Sequence, residues 1–200
     1  MNAEVGKAVS AFVLAAKGTK SEGHILSQKE LDELNDKLGH ALPLWFIELL
    51  SIYPLSGAQL DFPCYEPDGD DDGFRTIEMA TPQNIYDEME LCYPGIAIKE
   101  LGYFCLALDP AGTGDQYFST SQRGDNPPIF QVYHDVSDVG AEIEKNGMMQ
   151  IAGSVSEFFY NARVTKTTAN SVFAIAGLTE AQWAANRYSR SSYQVKGCYQ

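Results

Sequence analysis

Three short runs of apolar and aromatic residues lie close together in the middle of the sequence, and they restrict the fold more than any other feature. The runs span residues 101–108, 116–120 and 129–134, with Gly-, Asp- and Pro-rich breaks between them. Short runs bounded by such turn residues are typical of β-strands. Because the breaks are too short for the crossover that parallel strands need, the pattern predicts an antiparallel meander.

Helix signals lie on both sides of the predicted meander. Three pairs have the spacing of a helix start, at which side chains satisfy free backbone N–H groups. They are Ser27 with Glu30, Thr81 with Pro82, and Ser154 with Glu157. A further helix is predicted directly after Pro43 by an apolar stripe of Trp45, Phe46, Leu49 and Leu50. The chain therefore combines several helices with an antiparallel meander.

Two segments carry weaker signals. Residues 56–75 are rich in Gly, Pro and acidic residues, which predicts a loop with no more than a short edge strand. Val136, Val139 and Ile143 have a spacing that predicts a short helix.

The amino-terminal residues have the pattern of a helix that docks on a core. Val5, Val9 and Phe12 recur at helical spacing, and Glu4 offsets Lys7 where a signal peptide would be positive.

No run in the sequence approaches the ~20 apolar residues that span a bilayer. The four cysteines are scattered, which favours reduced thiols over a disulfide framework. We expect a soluble cytoplasmic protein.

Acidic residues are concentrated in one part of the chain. The sequence has 27 Asp and Glu against 14 Lys and Arg, a formal net charge of −13. Residues 61–90 hold ten of these acids and one base, Arg75, whereas residues 164–200 hold one acid and four bases. This excess would repel phosphates, so it disfavours direct nucleic-acid binding and favours a basic partner.

The acidic segment Asp68-Gly69-Asp70-Asp71-Asp72-Gly73 matches the first half of an EF-hand calcium loop. Position 12 of that loop should be a bidentate Glu, but it is Met79 here. A solvated acidic loop is therefore the preferred interpretation, with calcium binding as the alternative. We predict no metal and no cofactor.

No residue set has the pattern of a catalytic site. His24, His40 and His134 are far apart, and no nucleophile motif accompanies the pair His134-Asp135. Residues 109–115 contain two glycines but lack the Gly-Lys-Ser/Thr of a phosphate-binding loop, so they predict a hairpin connection. The sequence predicts a protein that is not an enzyme.

The order of these features resembles the SUKH superfamily, the Smi/Knr-type domain related to a yeast cell-wall-assembly regulator. The resemblance covers roughly residues 24–163. The residues on which it is based are the helix around Glu30 to Leu34, Leu42-Pro43 with Trp45 and Phe46, Leu101-Gly102-Tyr103, Leu106 to Asp109, Gly114-Asp115, Pro128 to His134 and Ser154 to Phe159. The Asn-Gly usual after the second helix of this family is replaced by Ser56-Gly57.

The resemblance implies a single α+β domain with a mainly antiparallel sheet flanked by helices, and a binding role without catalysis. Residues 1–23 then form an amino-terminal helix, residues 24–163 the SUKH-like domain, and residues 164–200 a carboxy-terminal helical extension. Many bacterial members of the family are immunity proteins that neutralise a cognate toxin, often a nuclease or deaminase, by forming a complex with it.

The leading hypothesis is thus an immunity protein that contacts a basic toxin through its acidic loop. The predicted contact residues are Glu66, Asp68, Asp70, Asp71 and Asp72. The plainer explanation of this loop is that its charges only keep it soluble, since exposed ion pairs contribute ~0–1 kcal/mol. Two alternatives remain for the whole protein: a regulatory scaffold for an endogenous partner, and a calcium- or histidine-dependent hydrolase.

Overall fold

The computed structural model describes residues 1–63, 73–110, 115–133 and 135–165. The strands in these ranges are β1 Gln59–Pro63, β2 Phe74–Met79, β3 Tyr103–Leu108, β4 Gln116–Thr120, β5 Ile129–Val132, β6 Met148–Ala152 and β7 Arg163–Val164. The helices are α1 Ala3–Ala16, α2 Gln28–Lys37, α3 Leu44–Ile52, α4 Pro82–Glu90, α5 Gly95–Ile98, α6 Gly140–Glu142 and α7 Val155–Asn161. A π-turn, Ile143–Gly147, continues α6. The carboxy-terminal extension from residue 166 onward, with its predicted helix, lies outside the described residues.

The strands form one antiparallel sheet in the order β6-β5-β4-β3-β2-β1-β7. The predicted meander is present as β3, β4 and β5, each paired with the next. The α+β prediction is confirmed.

Side chains cap the starts of α2 and α4. The Ser27 hydroxyl accepts from the Glu30 N–H while the Glu30 carboxylate accepts from the Ser27 N–H, which is the predicted capping box of α2. Thr81 and Asn84 form the same reciprocal pair at α4. Pro43 is the residue before α3, one position earlier than a first-turn proline.

The amino-terminal helix belongs to the hydrophobic core. Val5, Val9 and Phe12 are buried, and the Phe12 ring lies 5.7 Å from the ring of Phe159 on α7. The apolar spacing predicted this docked helix. No helix in the described ranges is long and apolar enough to cross a membrane.

β2, β6 and β7 were not predicted as strands, and one predicted helix begins later than expected. The predicted loop at residues 56–75 contains β1 and the start of β2, and β1 lies between β2 and β7, so it is not an edge strand. No sequence pattern predicted β6 or β7. The helix predicted from Val136 begins at Gly140, which leaves Val136 and Val139 exposed before it.

Candidate partner-binding surfaces

The structure fixes both ends of the predicted acidic loop. β1 and β2 pair as far as Pro63 opposite Phe74, so residues 64–72 connect two neighbouring strand ends. The predicted contact residues Glu66, Asp68, Asp70, Asp71 and Asp72 all lie outside the described residues. What the structure places is their attachment point.

Three connections meet at this end of the sheet. Antiparallel pairing puts the β1–β2 connection, the β3–β4 connection and the carboxyl end of β5 on the same side. Residues 111–114 and His134 belong to two of these connections and also lie outside the described residues. We call this side the loop end of the sheet.

A network centred on Asp115 holds the loop end together. Arg75 of β2 forms an ion pair with the Asp115 carboxylate, which also accepts a hydrogen bond from Gln131 Nε2 at 2.9 Å. Burial raises the pKa of the neighbouring Tyr117, and the negative charge of Asp115 raises it further. The network therefore joins β2, β4 and β5 beside the point where the acidic loop is attached.

A second charged cluster lies on the opposite face of β2 and extends to β1 and β7. Arg163 Nε lies 3.4 Å from Asp61 Oδ2, and its guanidinium carbon lies 3.3 Å from the centroid of the Phe74 ring. Thr76 Oγ1 donates to Asp61 Oδ1 at 2.9 Å. Since cross-strand partners share a face, Arg163, Asp61 and Thr76 lie together. This cluster stabilises the hairpin that carries the acidic loop.

Glu88 of α4 has a partly buried carboxylate. Burial raises the pKa of Glu88, the charge of Asp87 raises it further, and a hydrogen bond with Gln116 partly opposes them. Within the described part of the chain, Glu88 Oε2 and Gln116 Oε1 are buried with no hydrogen-bond partner. A hydrogen-bond donor that reached either oxygen would therefore stabilise the fold.

The two described cysteines lie near this carboxylate and are not activated. Burial raises the pKa of both Cys92 and Cys105, and the charge of Glu88 raises it further in each. Both side chains are therefore protonated thiols at neutral pH, the unreactive form.

No three His, Cys, Asp or Glu side chains of the described ranges are grouped as metal ligands would be. His24 pairs through its backbone with Ser56, and exposed His40 lies 3.7 Å from Asp36.

A surface that the sequence did not predict lies around α4, α5 and α6. Its exposed apolar side chains are Leu91, Tyr93, Val136 and Val139. We call this group the α4–α6 surface. Leu91 and Tyr93 flank the turn between α4 and α5, and Val136 and Val139 precede α6, so more than forty residues separate the two halves.

Two glycines allow the helices that carry the α4–α6 surface to pack closely against one another. A Cβ added at Gly140 would lie 2.2 Å from the Ala97 carbonyl oxygen, so α6 begins directly against α5. A Cβ at Gly95 would lie 1.8 Å from the Glu88 carbonyl oxygen, so α5 begins directly against α4. Only glycine fits at such distances. The two contacts join α4, α5 and α6 into one unit.

The two segments that carry this apolar group are acidic. Residues 82–100 contain four acids and one base, and residues 135–145 again contain four acids and one base. Lys99, the base of the first segment, is 2.8 Å from Glu90. Tyr103 donates to Glu144 at 2.9 Å, and its pKa is raised to about 12, chiefly by burial. An apolar centre with a charged rim is the usual arrangement of a protein–protein contact surface.

No family model, curated protein or solved structure matches this chain.

Proposed function

We propose that this chain is a non-catalytic immunity protein that neutralises a basic toxin by forming a complex with it. The observation that carries the proposal is the α4–α6 surface, where four exposed apolar side chains lie on two acidic segments. Tyrosine is among the residues that provide most of the binding energy of protein complexes, neighbouring apolar side chains exclude water from such an anchor, and nearby charges select the partner. The SUKH-like order of sequence features supports the same class of function.

The acidic loop adds long-range attraction to this proposal. A toxin that acts on nucleic acid must present Lys and Arg to its substrate, and a clustered acidic surface would accelerate its encounter with such a protein. The hairpin that carries the loop is held by Asp61 and Asp115 through their ion pairs with Arg163 and Arg75. A loop attached to a rigid hairpin loses less freedom on binding.

Co-expression tests this proposal directly. The chain is produced together with the product of the adjacent reading frame, and survival of the host and co-purification of the two proteins are measured. We expect protection by the natural sequence and loss of protection by the double variant Tyr93→Asp, Val139→Asp. The control Leu14→Asp changes a more exposed apolar residue on α1 and should protect fully. If the natural sequence neither protects nor co-purifies, the proposed function is wrong.

A further inference from the structure

A second group of exposed apolar side chains lies around α3. Leu44 and Ile52 of this helix are 70% and 53% exposed, and Ile25 is 52% exposed. The Leu26 N–H donates to the Leu50 carbonyl oxygen, which places Ile25 beside the last turn of α3. We call Ile25, Leu44 and Ile52 the α3 face.

The composition of α3 is that of a helix covered on all sides. Its sequence Leu-Trp-Phe-Ile-Glu-Leu-Leu-Ser-Ile has one charged residue, Glu48, whose carboxylate is 2.6 Å from the amine of Met1. Trp45, Phe46, Leu49 and Leu50 fill the core from its inner side. Helices that are apolar all round are normally buried all round. The α3 face therefore lacks the cover that its composition requires.

The chain leaves the described residues close to the α3 face. The Thr165 N–H donates to Ser21 Oγ at 3.0 Å, and Ser21 is four residues before Ile25. Four residues of extended chain and one hydrogen bond span no more than about 20 Å. Residues 166–200 thus begin near a surface that needs a cover.

The residues that follow Thr165 have the composition of such a cover. Residues 171–188 contain apolar residues that need burial, namely Val172, Phe173, Ile175, Leu178 and Trp183. Among the described residues the α4–α6 surface is a second exposed apolar group, and its Val136 and Val139 lie near β6, at the edge of the sheet opposite β7. Thr165 directly follows β7, and measured along the sheet, seven strands at ~4.8 Å spacing separate the β7 and β6 edges by roughly 29 Å.

We propose that residues 171–188 pack on the α3 face, with Trp183 as the main contact. Packing of this segment would bury both apolar surfaces at once without a second molecule. It would also leave the α4–α6 surface open for the toxin. This proposal does not depend on the proposed function.

Tryptophan fluorescence of the full chain tests the packing. The sequence has two tryptophans, Trp45 and Trp183, so Trp45→Phe leaves Trp183 as the single reporter. Trp45 Nε1 has no acceptor among the residues that the structure describes, and its ring centroid lies 5.6 Å from that of Phe46 and 5.8 Å from that of Phe104. Phenylalanine keeps these ring contacts and loses no hydrogen bond. Circular dichroism checks that the variant is folded.

We expect blue-shifted Trp183 emission that is protected from acrylamide. Adding Leu44→Asp and Ile52→Asp should shift the emission to the red and raise the quenching constant several-fold. The matched control, Leu91→Asp with Val139→Asp, should leave both unchanged. The proposal is overturned if Trp183 emission is already that of a solvent-exposed tryptophan, or if the α3 variants do not change it. It is also overturned if the emission changes with protein concentration, as it would on binding a second copy.

Discussion

Arg75 and Asp115 form an ion pair although a third strand, β3, lies between β2 and β4 in the sheet. The pair is possible because β2 and β3 overlap only at Glu78 and Met79, opposite Leu108 and Ala107. The amino end of β2 therefore extends past the last residue of β3 and brings Arg75 to Asp115. This stagger also makes the loop end a shared site for three connections.

Asp115→Asn should destabilise the folded protein by about 1–2 kcal/mol, because hydrogen bonds to charged groups contribute more than neutral ones. The side chains of Asp115 and Arg75 are 12% and 34% exposed, so solvent screens part of the interaction. Urea unfolding measures the change. Asp125→Asn, at an exposed position, should stay within about 0.5 kcal/mol of the natural sequence. Equal effects of the two substitutions would show that the pair does not stabilise the loop end.

Glu88→Gln should stabilise the protein at about pH 8, by about 1 kcal/mol, since the new amide can donate to Gln116 Oε1. Burial raises the pKa of Glu88 above its ordinary value of 4.5, so folded Glu88 holds more protons than unfolded Glu88 between these pKa values. Stability of the natural sequence therefore falls as the pH rises through that window. The advantage of the variant should shrink towards pH 4.5. Urea midpoints across this range measure it, and an advantage that grows on acidification would contradict the assignment.

Phe12→Ala should cost about 3–4 kcal/mol, the usual effect of removing a buried aromatic ring. Its ring is buried and lies 5.7 Å from that of Phe159. Chemical unfolding should show one transition at lower denaturant. The exposed neighbour Leu14→Ala should change the free energy of unfolding by less than about 0.5 kcal/mol. A near-zero effect of Phe12→Ala would mean that α1 is not part of the core.

Gly140→Ala should destabilise the protein by about 1–3 kcal/mol, because an added Cβ would lie 2.2 Å from the Ala97 carbonyl oxygen and α6 would have to move. Thermal unfolding measures the loss. Ala141→Ser, on the exposed side of the same turn, is the matched control. An unchanged unfolding temperature for Gly140→Ala would show that the two halves of the α4–α6 surface do not meet as described.

The helices were predictable because their signals are local. The Ser27–Glu30 and Thr81–Pro82 starts need only a few neighbouring residues, and the structure has helices at both. β7 was not predictable, because Arg163 and Val164 are held by pairing with Asp61 and Leu60, about a hundred residues earlier. A strand of two residues has no pattern of its own.

The α4–α6 surface was missed for a similar reason. The segments that carry Tyr93 and Val139 are brought together by the close approach of Gly140 to Ala97, and neither glycine nor alanine signals such an approach in a single sequence. The acidic loop was visible because its charges are consecutive. Its role as a contact stays a prediction, since its residues lie outside the described ranges.

The three consecutive aspartates of the loop are a target for kinetic measurement. Replacing Asp70, Asp71 and Asp72 with Asn should slow association with the toxin and flatten its dependence on salt, because long-range attraction acts mainly on the association rate. Stopped-flow mixing at two ionic strengths measures both. Unchanged association kinetics would remove the loop from the contact surface while leaving the α4–α6 surface untested by this comparison.

Titration of the purified toxin tests the central claim most directly. The activity of the adjacent reading frame's product is measured while this protein is added in increasing amounts. We predict that the activity falls in proportion to the added protein and reaches zero at an equimolar ratio, as in a tight one-to-one complex. Toxin activity that stays constant in a large excess of this protein would contradict the account.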